Sequence, residues 1–147
     1  MKVYVLKLKK MANTSEVTYL GELRTEAVHL QSGNKIVTDA PKDNHGKGEA
    51  FSPTDLLATS LACCALTTIG VLAQRDNLPI DVSGAKAEVI KIMATEPRRV
   101  SEIHLKITFK KAYTEKEKKI IEHTFHTCPV AKSLHPDIRQ VIEFVYL

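Results

Sequence analysis

With 147 residues, 44% of them hydrophobic, the chain can bury one sizeable core, and a single domain over residues 1–147 is its simplest organisation. Aromatic residues make up only 5%, Trp is absent and the net charge is +4, which argues against a stacking or basic surface for nucleic acid. Three cysteines with no export signal ahead of them point to a reducing compartment, with the cytoplasm as the expectation.

The opening MKVYVLKLKK alternates in polarity, so it is predicted as a strand over Lys2–Lys9 rather than a signal peptide. Further strands are predicted at Val17–Leu23, Thr25–Gln31 and Lys35–Thr38, with Ser32-Gly33-Asn34 as a tight turn. A polar loop, Asp39 to Phe51, follows. Its length is of the kind that is often functional or mobile.

A central helix is then signalled by Ser52 as cap, Pro53 at the first helical position and Asp55 three residues after the cap. It is expected to run to about Asn77, where Leu78-Pro79 ends it. Leu56 to Ala73 borders on the length of a membrane span, but Thr59, Ser60, Thr67, Thr68 and Gly70 favour a buried core helix, with no membrane role.

Ile80–Met93 and Arg98–Lys110 read as two long strands joined around Thr95-Glu96-Pro97. Thr114 with Glu117 forms a capping box for a helix over Glu115–His123. A short helix begins at Pro129, and Gln140–Tyr146 closes the chain as a strand. Runs of strand, helix, strand and helix give an α+β class, not alternating βαβ. One sheet of six or seven strands would cover only part of so apolar a helix. A homodimer with the central helices in contact is therefore expected.

The chemistry lies with the cysteines. Leu57, Leu61, Cys64, Thr68 and Val71 share one helical stripe, while Thr59, Cys63, Thr67, Gly70 and Gln74 share another that is small and partly polar. Cys63 is read as a packing residue on that second stripe. Periodicity leaves Cys64 open between a small buried hydrophobe and a working thiol. Cys128 precedes Pro129 where a helix should start, a position at which unpaired N–H groups favour thiolate, although Thr127 could take the cap instead. His123, His126, Cys128 and His135 are close in sequence, but no CxxC or HExxH accompanies them, so no metal is assigned.

The stretch FSPTDLLATSLACCALTTIG, the later HTCPVAKSL and the β-rich first third together resemble the OsmC/Ohr family. The resemblance implies an OsmC-like fold, with antiparallel sheets wrapped around a long buried central helix, in an intertwined homodimer. It also implies reduction of organic hydroperoxides, or of hydrogen peroxide, by thiols and without a cofactor. An external thiol or dithiol would be the reductant.

By that resemblance Cys64, eleven residues after Pro53, is the peroxidatic cysteine, Cys128 the resolving one, and Arg24 in GELRTEAVH the site arginine. One position departs. The glutamate that follows the proline in hydroperoxide-reducing branches, and holds the arginine there, is here Thr54, with the acid one step on at Asp55. One helical step rotates a side chain by about 100°, so Asp55 is no equivalent, and Glu49 is another candidate partner for Arg24. The alternative function is a non-catalytic dimer that binds a small apolar or thiol ligand at the subunit interface.

Overall fold

The structure, a computed structural model, describes residues 12–147, so the predicted strand Lys2–Lys9 lies outside the described residues. It contains both sheets and helices and is of the α+β class. Two compact units are distinguished among the described residues, divided between Pro53 and Thr54.

In the first unit, β1 (Ser15–Gly21), β2 (Arg24–His29) and β3 (Lys35–Asp39) form an antiparallel meander. Only Glu22 and Leu23 connect β1 to β2, both with positive φ (51° and 63°), following Gly21 at 88°. Two-residue hairpin turns demand that backbone region to match strand twist, and non-glycine residues adopt it uncommonly. The tight turn delivers Arg24 directly into β2, opposite Asp39 of β3.

The loop after β3 is folded back on itself rather than loose. It contains a 3₁₀ turn at Lys42–Asn44. The Gly46 and Gly48 N–H groups donate to the Pro41 and Ala40 carbonyls at 3.0 and 3.2 Å. A Cβ on Gly46 would stand 1.7 Å from the Ala40 carbonyl oxygen, so only glycine fits there. The Asp39 N–H donates to the Phe51 carbonyl at 3.0 Å, which draws the loop's end back to β3.

The second unit is built on α1 (Pro53–Arg75), whose first helical residue is the expected proline. Ala58, Leu61, Ala62, Ala65, Ile69 and Ala73 recur at helical spacing and are buried. β4 (Lys86–Thr95) and β5 (Arg98–Phe109) form an antiparallel hairpin, and β6 (Arg139–Tyr146) adds beside β5. Between β5 and β6 come α2 (Glu115–His126) and α3 (Pro129–Ser133). Alternate β5 residues Ile103, Leu105, Ile107 and Phe109 join the α1 stripe and α2's Ile121 and Phe125 in one core.

Three expectations change. Among the described residues the strands divide into two three-stranded sheets, not one sheet of six or seven. β6 runs parallel to β5, because the intervening helices provide the crossover that parallel strands need. The strand predicted from Ile80 starts only at Lys86. The preceding residues form a turn in which the Ser83 N–H donates to the Asp81 carboxylate at 2.8 Å and Gly84 takes φ +81°. As expected, α1 is covered only in part among the described residues: Leu57 and Val71 are 40% and 56% exposed on the face away from its buried stripe. By length and composition this helix could cross a membrane, yet its buried stripe packs in the core of the unit.

A candidate thiol site

Cys64 projects from the middle of α1 and is half-buried; Cys128 is fully buried, and both are free thiols. Cys128 is the N-cap of α3, with extended φ and ψ of −64° and 147°, and its sulfur accepts the Ala131 N–H at 3.4 Å. Pro129 at the first helical position fixes that geometry, and Thr127 instead caps the end of α2. The two cysteine side chains, sixty-four residues apart in sequence, are near enough that Cys64 bears on the ionisation of Cys128.

The electrostatics reverse one expectation. Burial pushes the Cys128 thiol above its ordinary range, and the neighbouring Cys64 pushes in the same direction. The Ala131 and Val130 N–H groups oppose these effects without overcoming them. Cys128 is therefore no thiolate at rest. A five-residue helix sums little of a macrodipole, while removal from water penalises a charged sulfur directly.

Cys64 shares a groove of about 590 Å³ with Ser60, Cys63, Thr67, Thr68, Val71 and Pro129. Its walls are aliphatic or bear small hydroxyls and thiols. Cys63, expected to pack, is exposed in the single chain and lines this groove. The Thr68 hydroxyl donates to the Cys64 carbonyl at 2.7 Å and lies 4.0 Å from the Cys64 sulfur.

Arg24 sits in the first unit within a closed ionic cluster. Its Nη2 donates to Asp39 Oδ2 at 3.0 Å and to Glu49 Oε2 at 2.6 Å. The Asp39 side chain is 0% exposed, whereas that of Glu49 is 63% exposed. Asp39 Oδ2 also accepts the Glu49 N–H at 3.0 Å, and Asp39 Oδ1 has no partner among the described residues. The Glu49 N–H, foremost, and Arg24 hold the Asp39 carboxyl below the usual carboxylate range, against the cost of burial. Glu49 is thus found with Arg24 as one of the two expected alternatives, and Asp39 is the partner that the sequence did not indicate.

Thr54 and Asp55 share a different cation. Lys91 Nζ lies 2.7 Å from Asp55 Oδ1 and donates to Thr54 Oγ1 at 2.9 Å. Lys91 alternates along β4 with Ala87, Val89 and Met93 on the partly buried face, so its ammonium fastens the start of α1 to the sheet. The histidines are dispersed: His126 packs against Phe125 and Phe144, and His135 Nδ1 accepts the Asp137 N–H at 3.2 Å. Among the described residues no three His, Cys, Asp or Glu are gathered as a metal site.

Comparison with known proteins bears on the family and the fold. The family profile described as OsmC-like protein matches residues 46–143. A crystal structure from Psychrobacter arcticus 273-4, of a protein named for an osmotic stress induced and detoxification response, is similar at 59% identity with a TM-score of 0.87. The match covers 95% of this chain and 99% of that one. An OsmC like protein from Mycoplasma pneumoniae shares the fold at 22% identity and a TM-score of 0.72, over 93% of this chain and 99% of that one. So does an organic hydroperoxide resistance protein OsmC from Legionella pneumophila, at 15% identity and 0.69, over 92% and 99%. Among curated proteins none matches.

Proposed function

The chain belongs to the OsmC-like protein family, and from that premise we propose that it is a thiol-dependent peroxidase acting on organic hydroperoxides or hydrogen peroxide. The observation that carries the reading is that half-buried Cys64, open to an apolar groove, lies near enough to buried Cys128 to raise its ionisation midpoint. A lone structural cysteine needs no second thiol beside it. The Legionella protein's name supplies the substrate class by likeness of fold.

In this mechanism the Cys64 thiolate attacks the distal peroxide oxygen. The S–O bond forms as the O–O bond breaks, and the alkoxide leaves and takes up a proton as alcohol. Cys64 is then a sulfenic acid. Cys128, as thiolate, attacks that sulfur and expels hydroxide, which leaves as water, and a Cys64–Cys128 disulfide remains. A thiol or dithiol reductant returns two electrons to complete the cycle.

The raised Cys128 thiol fits the second place in this order. Part of what raises it is Cys64 itself, and that part disappears once Cys64 is a neutral sulfenic acid. Arg24 enters by family resemblance, as the cation that opposes the thiolate charge and hydrogen-bonds the peroxide. The active form is taken to be a homodimer that covers the open face of α1.

Treatment with one equivalent of cumene hydroperoxide, followed by intact mass and peptide mapping, tests the proposal. A rapid loss of two hydrogens mapped to Cys64 and Cys128 is expected, and Cys128→Ser should stop at a Cys64 oxidation product. Folded protein whose thiols stay unreacted would refute it and favour a ligand-binding role for the groove.

A further inference from the structure

Thr68 stands one helical turn beyond Cys64 on α1, and both line the same groove. Its hydroxyl has one proton and two lone pairs to distribute. That proton goes to the Cys64 carbonyl at 2.7 Å, while the oxygen lies 4.0 Å from the Cys64 sulfur, near enough for the S–H to donate to it. Once the sulfur loses its proton the balance changes. A charged acceptor roughly doubles the strength of a hydrogen bond. The carbonyl that the hydroxyl leaves keeps the Thr68 backbone N–H of the helical ladder, so no acceptor is orphaned. Rotation about one C–O bond suffices.

We propose that Thr68 is a catalytic residue whose hydroxyl turns from the Cys64 carbonyl to the Cys64 sulfur when that sulfur ionises, and so holds the thiolate. The inference rests on the reading of Cys64 as the attacking thiol. No atom is exchanged in this step; the departing proton goes to solvent. Stabilising a thiolate has two opposed consequences. Tenfold more thiolate below the ionisation midpoint comes with a nucleophile about threefold less reactive, given a Brønsted slope of about 0.4–0.5. The net advantage is about threefold below the midpoint and becomes a disadvantage of about threefold once all the sulfur is ionised.

The test is Cys64 alkylation by iodoacetamide between pH 6 and 10.5, in a Cys63→Ser background with Cys64 read by peptide mapping. Thr68→Val is isosteric and lacks the hydroxyl. It should react about threefold more slowly than its parent at the acid end of that range and about threefold faster where its rate has levelled off, so that the two profiles cross. Thr68→Ser should follow the parent. A Thr68→Val profile that overlies the parent, or is lowered by one factor at every pH, overturns the proposal. So does Thr68→Ser behaving as Thr68→Val, since the methyl group would then be what matters. Should Thr68→Val not fold, Thr68→Ala serves with the same expected crossing. No peroxide enters this experiment, so a failed peroxidase reading shows itself separately, in the absence of a Cys64–Cys128 disulfide.

Discussion

A carboxylate removed from water, as that of Asp39 is, stays ionised only if donors replace its hydration. The Glu49 N–H and the Arg24 guanidinium do so, and they hold its ionisation below that of a free Asp, about 3.9. The sign follows from linkage. A depressed carboxyl contributes stability that is present above about pH 4 and lost as pH falls through the lower, folded value. Asp39→Asn should therefore be less stable than wild type at pH 7, and its urea midpoint should fall less steeply between pH 5 and 2.5. Equal slopes in that window would show that the pair contributes nothing to folding. The sequence leads to Arg24 and to Glu49 but not to Asp39, for a geometric reason. Predicted strands over Thr25–Gln31 and Lys35–Thr38 stop one residue short of both members of the Arg24–Asp39 pair, and only the register puts them opposite each other. Cys128 shows the complementary limit. Its capping position is legible from the proline that follows, whereas its burial, which decides its ionisation, comes from contacts distant in sequence.

Helix ends are the most legible elements here because their signals are local. The Thr114 hydroxyl accepts the Glu117 N–H at 3.3 Å, and the Glu117 carboxylate accepts the Thr114 N–H at 2.7 Å, the reciprocal pair that their spacing predicts. α2 carries Ile121 and Phe125 into the core and ends two residues before Cys128, so its anchoring bears on the seat of that thiol. Thr114→Ala should cost about 1 kcal/mol, read as a lower urea midpoint with an unchanged slope. Phe125→Ala, which empties core volume on the same helix, should cost about 3–5 kcal/mol. If Thr114→Ala matched it, the helix would depend on its cap rather than on packing. The strand predicted from Ile80 starts late because a local turn signal intervenes. Asp81-Val82-Ser83-Gly84 is a side-chain-capped turn with a glycine at positive φ, and only after it does the alternation of Lys86 to Met93 begin.

At the scale of the molecule, α1 poses a question of cover. One stripe of Ala, Leu and Ile is sealed in the core, yet Leu57 and Val71 stand open on the same helix. A homodimer that lays this face against its own copy would remove both from water, and by two-fold symmetry each substitution then counts twice. Burying one Val is worth about 1.5–3 kcal/mol, so replacing Val71 in both copies should cost about 3–6 kcal/mol of association, or two to four decades in dissociation constant. The charge of a lysine, left without a partner in such a contact, would add to that loss. Sedimentation of the wild type at micromolar concentration should accordingly give a dimer, and Val71→Lys a monomer with an unchanged far-ultraviolet spectrum. The same experiment bears on the thiol site, because Val71 lines the groove beside Cys64. If the dimer closes that groove, monomeric Val71→Lys should expose Cys64 to bulky alkylating reagents that the wild type resists. A monomeric wild type would instead leave the groove open at every concentration, and reagent size would then make no difference between the two proteins.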